Sequence, residues 1–214
     1  MEEGRLFRDF WSGFTHFIGF LLAFAALIAL LNKSGDLTVW QKVSYWIFGI
    51  SMILVYLGST LYHWVPFSGN RLEQFRKFDH IMIFVFIAAS YTPLCLVTLH
   101  GPWGWSFFGV VWGITVAGVF IKAFWMNAPR FLSTSIYILM SWIIVIGIWP
   151  LSKALPPGGF FWLGLGGLFY MIGAAVYTFR KPDPLPDVFG FHEVFHLFIM
   201  LGTFSHFYLV YHYM

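Results

Sequence analysis

The sequence predicts an all-α membrane protein, a bundle of seven transmembrane helices. Only 10% of its 214 residues are charged, whereas soluble domains carry about 25%. The mean hydropathy is +0.77. Seven apolar runs are each long enough to cross a bilayer, which takes about 20 residues. Together these observations predict a polytopic protein that buries little charge and faces lipid over most of its surface.

The seven helices are expected within a single domain that covers residues 1–214. The first apolar run is too long for the core of a cleaved signal peptide, so we expect it to remain as a helix. Residues of turn chemistry or charge separate the runs. The predicted helices are residues 11–31, 41–64, 78–99, 103–125, 131–150, 158–179 and 191–213.

The basic residues predict the orientation of the bundle. Loops on the cytoplasmic side of a membrane carry an excess of Lys and Arg. Three of the twelve basic residues fall at one end of the predicted bundle: Lys33, Lys42 and Lys153. The other nine fall at the opposite end: Arg5, Arg8, Arg71, Arg76, Lys77, Lys122, Arg130, Arg180 and Lys181. This asymmetry predicts a cytoplasmic N-terminus and a C-terminus outside.

Composition also argues against two kinds of site. The basic residues stand singly between apolar runs, so they form no patch of the kind that binds nucleic acid. The chain has one cysteine, Cys95, which excludes an intrachain disulfide and a Cys-rich metal motif.

The last apolar run opens with two histidines, His192 and His196, one helical turn apart on the same face. Histidine inside a lipid-embedded segment is costly without a partner, so a functional role is the first hypothesis. Such a pair can bind one zinc ion through two ring nitrogens at about 2.0–2.1 Å.

The predicted topology brings further polar residues to the depth of this pair. Ser59 and His63 lie near the cytoplasmic end of the second helix, and Asp79 lies near the same end of the third. Three neutral imidazoles can hold Zn²⁺ and leave a fourth position for water, whose pKa falls to about 7. Asp79 could then take the proton of that water, and the Ser59 hydroxyl could hold the water or a polar substrate group.

Each of these residues also has a structural explanation. A histidine near a helix end can reach the interface or bond a carbonyl. Asp79 can be an acid at a helix N-terminus, where the dipole favours it, and Ser59 can be a small packing residue. Among the other histidines, we expect His16 and His80 to contact the ligands, and His206 to be structural. The last two, His100 and His212, are expected at the interface.

The segment HEVFH at 192–196 also matches the H-E-x-x-H motif of zinc metalloproteases, in which the glutamate is the general base. An intramembrane metalloprotease with Glu193 as its base is therefore an alternative. Substituting Glu193 and Asp79 separately distinguishes this alternative from the three-histidine site.

Four segments resemble those of the hemolysin III proteins, the bacterial branch of the progestin and adipoQ receptor family, which includes the adiponectin receptors. The segments are STLYH (59–63), KFDH (77–80), YTP (91–93) and HEVFH (192–196). The resemblance covers essentially the whole chain. It implies a seven-helix protein of the bacterial inner (plasma) membrane, with zinc held by His63, His192 and His196. It also implies that Asp79 and Ser59 contact the zinc-bound water.

The first helix departs from the family pattern, which often places an acid and then Asn shortly before a histidine. Here Ser12 stands where Asn is usual, with Asp9 nearby and His16 as the histidine. The resemblance therefore assigns no role to the first helix. The short N-terminus also lacks a receptor-like domain, so binding of a protein hormone is not expected.

The function expected from these observations is zinc-dependent hydrolysis of a lipid amide, because relatives are described as lipid-amide hydrolases with ceramidase-like activity. The expected partners are membrane lipids, with the substrate entering from the bilayer. A non-enzymatic sensor of membrane lipid state with structural zinc is an alternative, and it would require a fourth ligand such as His16 or His80. A transporter is less expected, because the polar groups lie near one face rather than at the midplane.

Overall fold

The computed structural model describes residues 7–33, 35–126, 129–186 and 188–214. Within these ranges, seven helical segments are long and apolar enough to cross a membrane. The prediction of a seven-helix membrane bundle is thus confirmed. Arg5, which the orientation argument uses, lies outside the described residues, and the direction in which the chain crosses the membrane stays a prediction.

Eight α-helices build the seven segments, because the fifth segment contains two of them. A 3₁₀ turn over Ile143–Gly147 joins α5 to α6 within that segment. The helices are α1 (Phe10–Leu31), α2 (Val39–Trp64), α3 (Gly69–Pro93), α4 (Pro102–Phe124), α5 (Arg130–Trp142), α6 (Ile148–Ala154), α7 (Pro157–Phe179) and α8 (Phe191–Tyr213).

Local sequence explains where several helices begin. The Thr38 hydroxyl accepts a hydrogen bond from the backbone N–H of Gln41, and the Gln41 side chain accepts one from the backbone of Thr38. This reciprocal capping box satisfies two donors at the start of α2. Pro102 and Pro157 occupy the first positions of α4 and α7, where a missing N–H costs nothing and the fixed φ suits a helix.

The third helix differs most from its predicted bounds. It begins at Gly69 rather than near residue 78, so Asp79 lies about three turns inside it. The alternative that Asp79 is only an acid at a helix N-terminus is therefore wrong. The early turns are polar, and a Glu73–Lys77 ion pair of 3.3 Å links adjacent turns on their exposed side.

A tight hairpin joins α3 to α4. After Pro93 the chain continues as one π-helical turn over Leu94–Thr98, consistent with the N–H that proline lacks. Gly101 then adopts a φ of +126° in the short link, which favours glycine. A Cβ at Gly104 would lie 2.1 Å from the Cys95 carbonyl oxygen, so only glycine permits this close approach of the two helices.

The helices that carry the predicted site are neighbours in the bundle. α1 packs along α2 and also contacts α8, while α2 packs against α3 and α7 against α8. The buried core includes Tyr45, Phe48 and Phe84. Large apolar side chains such as Phe131 and Phe179 are instead exposed on the outer surface, as expected for a protein whose surroundings are lipid.

Candidate metal centre

Three histidines from α2 and α8 converge at one end of the bundle. His63, His192 and His196 each offer a ring nitrogen, and the three nitrogens lie within 4.8 Å of one another. The ring centroids of His192 and His196 are 4.5 Å apart, and those of His63 and His192 are 5.0 Å apart. The structure thus brings together laterally the three residues that the sequence places at one depth.

The spacing of two of these nitrogens, those of His63 and His192, fits a tetrahedral metal ion. His63 Nε2 lies 3.3 Å from His192 Nε2. Tetrahedral zinc, with Zn–N distances of about 2.0–2.1 Å, separates two nitrogen ligands by about 3.3–3.4 Å. The Nδ1–H of His63 donates to the Asp9 carboxylate at 3.2 Å, which leaves the lone pair of His63 on Nε2. The two residues can therefore hold zinc without rearrangement.

His196 is oriented by two oxygen atoms of α1. Its Nδ1 lies 3.2 Å from the Ser12 carbonyl oxygen and 3.1 Å from the Thr15 hydroxyl oxygen. Because a carbonyl oxygen can only accept, Nδ1 carries the proton and Nε2 carries the lone pair. This tautomer leaves Nε2 as the ligand atom of His196.

Helix α1 and Asp9 at its start therefore support the site. Sequence reasoning singled out His16 of this helix as a neighbour of the ligands but missed Asp9, Ser12 and Thr15. Asp9 bonds His63, Thr15 bonds His196, and the Ser12 hydroxyl donates to Glu193. Hydrogen bonds of this kind fix the orientation and tautomer of metal-ligating histidines. The Asp9 carboxylate titrates at lower pH than usual: its hydrogen bond to His63 lowers the pKa despite partial burial, and nearby Arg8 adds to this effect.

Removing the Asp9 carboxylate is expected to weaken metal binding. Asp9→Asn should lower zinc affinity by about 10–100-fold, because loss of such an outer contact usually costs that much. Competition with a chromogenic chelator measures the affinity in detergent. Asp36→Asn is the matched control, since Asp36 is exposed in the loop between α1 and α2. Equal affinities for the two variants would contradict a role for Asp9.

His16 contacts the cluster through the face of its ring. The rings of His16 and His196 stack with centroids 3.5 Å apart and an interplanar angle of 13°. The His16 ring also contacts the ring of Tyr56, which meets it edge-on with centroids 5.1 Å apart. Neither ring nitrogen of His16 hydrogen-bonds to a group that the structure describes, and neither belongs to the group of three ligand atoms.

Asp79 and Ser59 border the same cavity as the three histidines. His80, His63 and Ser59 are the main polar neighbours that act on the Asp79 carboxylate. His80 Nδ1 lies 3.5 Å from Asp79 Oδ2 and 2.9 Å from the Arg76 carbonyl oxygen. Asp79, the base predicted from the sequence, therefore lies in the cavity wall next to His63, one of the proposed ligands.

Glu193 has a different environment from Asp79. Its carboxylate accepts hydrogen bonds from the Ser12 hydroxyl and from the backbone N–H of Gly190 at 2.8 Å. It therefore caps α8 and joins it to α1. The described residues that line the cavity do not include Glu193, so its position does not favour the metalloprotease alternative.

The remaining histidines lie apart from the cluster. The ring of His206 meets that of Tyr170 edge-on at 5.2 Å, farther along α8. His100 Nδ1 lies 3.1 Å from the Leu96 carbonyl oxygen, and His212 lies beside Tyr208 with centroids 4.1 Å apart.

A cavity of about 900 Å³ extends from the three histidines into the bundle. It reaches from His192 to His206 along α8, a span of about 21 Å at 1.5 Å per residue. Most of its lining residues are apolar. The cavity thus joins a polar end, where the imidazoles and Asp79 lie, to a long, mostly apolar chamber within the size range of small-molecule sites.

The fold and the site define a class: seven-helix integral membrane proteins with a histidine cluster between the second and the last helix. Comparison with known families gives a narrower assignment. The family described as haemolysin-III related matches residues 5–207. The chain belongs to this family, and the resemblance seen in its sequence is confirmed.

Individual relatives agree with the assignment. The chain is 35% identical over 197 residues to the hemolysin-3 homolog of Bacillus subtilis (strain 168), covering 92% of this chain and 89% of the relative. It is 37% identical over 198 residues to hemolysin-3 of Bacillus cereus, covering 92% and 87%. The human monocyte to macrophage differentiation factor is more distant, at 25% identity over 190 residues, covering 87% and 76%.

Proposed function

We propose that the protein is a zinc-dependent hydrolase that cleaves the amide bond of a membrane lipid. One observation carries the proposal: three imidazole nitrogens within 4.8 Å of one another lie beside Asp79 and Ser59 at the polar end of an apolar cavity. Zinc held by His63, His192 and His196 would polarise the substrate carbonyl and acidify the attacking water.

The side chains around the proposed zinc have separate roles in this reaction. Asp79 is the general base that accepts the proton of the attacking water and can pass it to the leaving amine. The Ser59 hydroxyl donates a hydrogen bond that orients the water or the substrate carbonyl. Asp9 and Thr15 hold His63 and His196 in the tautomers that turn Nε2 toward the ion.

The cavity wall supports entry of the substrate from the bilayer. Trp142 at the end of α5, Val145 in the 3₁₀ turn that follows it, and Leu168 on α7 line the cavity and are also 52%, 44% and 55% exposed. Because the same side chains face both the cavity and the outer surface, we expect an acyl chain to enter between these helices.

The number of ligands favours catalysis over a structural metal site. Structural zinc usually has four protein ligands, whereas catalytic zinc keeps an open position. The ligand group found among the described residues contains three histidines. His16 and His80, the two candidates for a fourth ligand, do not belong to this group. The non-enzymatic lipid sensor remains the alternative that the experiment must exclude.

The proposal is tested with the purified protein in lipid nanodiscs. We expect about one zinc per chain by elemental analysis, and release of fatty acid from a fluorescent ceramide or an N-acylethanolamine. Treatment with a chelator should stop the release, and added zinc should restore it. Bound zinc without turnover of any lipid amide would favour the sensor, and a folded, metal-free protein would refute the zinc site altogether.

A further inference from the structure

A buried lysine lies at the same end of the cavity as the three histidines. Lys122, in the last turn of α4, is only 3% exposed. Its ammonium group donates a hydrogen bond of 2.5 Å to the Ser133 hydroxyl on α5. No ion pair joins it to a carboxylate among the residues that the structure describes. The side chain therefore carries its charge out of water with only a neutral partner.

A second cation stands close to this lysine. Arg76 of α3 is near enough for its charge to act on Lys122, and both line the cavity. His80 faces the same two cations. Asp79, which also lines the cavity, lies 3.5 Å from His80 Nδ1, and Glu73 on α3 pairs with Lys77. Thr134 and Tyr137 complete this part of the wall from α5. The wall thus concentrates positive charge and hydrogen-bond donors around one region of the cavity.

Such an arrangement favours binding of an anion. A buried charge without a counter-charge costs several kcal/mol, and two neighbouring cations repel each other in addition. Basic pockets between transmembrane helices bind the phosphate head groups of lipids. Two cations and a hydroxyl match the charge and the several acceptor oxygens of a phosphate better than they match a single carboxylate.

We propose that Arg76, Lys122 and Ser133 form a subsite for the phosphate of an anionic membrane lipid whose acyl chain occupies the apolar cavity. The proposal rests on the proposed function in one respect: it makes the hydrolase substrate a lipid amide that also carries a phosphate. The phosphate subsite would hold the head group while the acyl carbonyl reaches the three histidines, since both groups of residues line one cavity.

The subsite is tested by lipid binding and not by turnover. Absence of lipid binding by the wild type would therefore contradict the subsite, whereas absence of turnover alone would contradict the hydrolase. The probe is dioleoylphosphatidic acid, titrated into the zinc-loaded protein in detergent and followed by native mass spectrometry. Lys122→Met should weaken binding by at least about tenfold, because a charge-assisted hydrogen bond is lost. Lys122→Arg should retain binding. Lys77→Met is the matched control, since Lys77 pairs with Glu73 outside the cavity.

Two further measurements identify the source of the phosphate. Dioleoylglycerol, which has the same acyl chains and no phosphate, should bind at least about tenfold more weakly than phosphatidic acid. Inorganic phosphate should compete poorly, because it lacks the chains. Equal binding by the wild type and Lys122→Met overturns the proposal, as does inorganic phosphate that binds as tightly as the lipid. If Lys122→Met does not fold, Arg76→Gln, at an exposed position on α3, provides the same test.

Discussion

Asp79→Asn is expected to lower the kcat for lipid amide hydrolysis by about 10²–10⁴-fold, the usual contribution of a general base. The zinc content should stay at the wild-type level, because Asp79 is not one of the three converging ligands. The asparagine keeps the shape of the side chain but cannot accept the proton of the attacking water. Turnover in nanodiscs and elemental analysis of the same preparation together measure both outcomes.

Glu193→Gln is the matched control for this prediction. Glu193 is a buried carboxylate at the same end of the bundle, but it caps α8 and bonds Ser12 instead of lining the cavity. The Glu193→Gln substitution should therefore reduce turnover far less than Asp79→Asn does. The opposite pattern, with Glu193→Gln inactive and Asp79→Asn active, would establish the metalloprotease type of site in place of the one proposed.

The double substitution His192→Ala/His196→Ala is expected to remove zinc from the protein, from about one ion per chain to a trace. It deletes two of the three converging nitrogens, and a single remaining imidazole does not hold zinc against a competing chelator. Elemental analysis of monodisperse protein measures the loss. His63→Ala should behave in the same way, because its Nε2 faces that of His192 at 3.3 Å.

The control for metal loss is His100→Ala, a histidine that bonds the Leu96 carbonyl near the other end of the bundle. It should retain the full zinc content, which would show that loss of metal is specific to the cluster. A double variant that kept wild-type zinc would refute the ligand set and leave the closeness of the three imidazoles without explanation.

The sequence was sufficient for the helices and for the depth of the polar residues. Each apolar run has to cross about 30 Å of hydrocarbon, so its length and the turn residues around it define a helix. The alternation of direction then places His63, Asp79 and His192 at one end of the bundle. Lateral contact between α2 and α8 depends on how the helices pack, and no local pattern in either helix encodes that contact.

The contribution of α1 was predicted only for His16, although the sequence carries a wider signal. Asp9, Ser12, Thr15 and His16 follow one another at helical spacings of three, four and seven residues, so they share one face of a helix. A polar stripe on an otherwise apolar helix predicts a partner inside the bundle.

The start of α3 was predicted too late for a similar physical reason. Its early turns contain Arg71, Glu73, Arg76 and Lys77, and a search for apolar runs excludes such residues. A helix can nevertheless continue beyond the hydrocarbon, where its charged side chains are exposed to water and adjacent turns form pairs such as Glu73–Lys77.

The contact of α1 with α8 has a consequence for the biosynthesis of the protein. Two of the three candidate histidine ligands lie on the last helix, and Ser12 and Thr15 on the first helix orient one of them. A nascent chain therefore cannot acquire the complete site until its C-terminal helix has left the ribosome and entered the bilayer. If the site binds zinc as proposed, we expect metal content to report on completed insertion, and a chain truncated before residue 191 to bind no zinc.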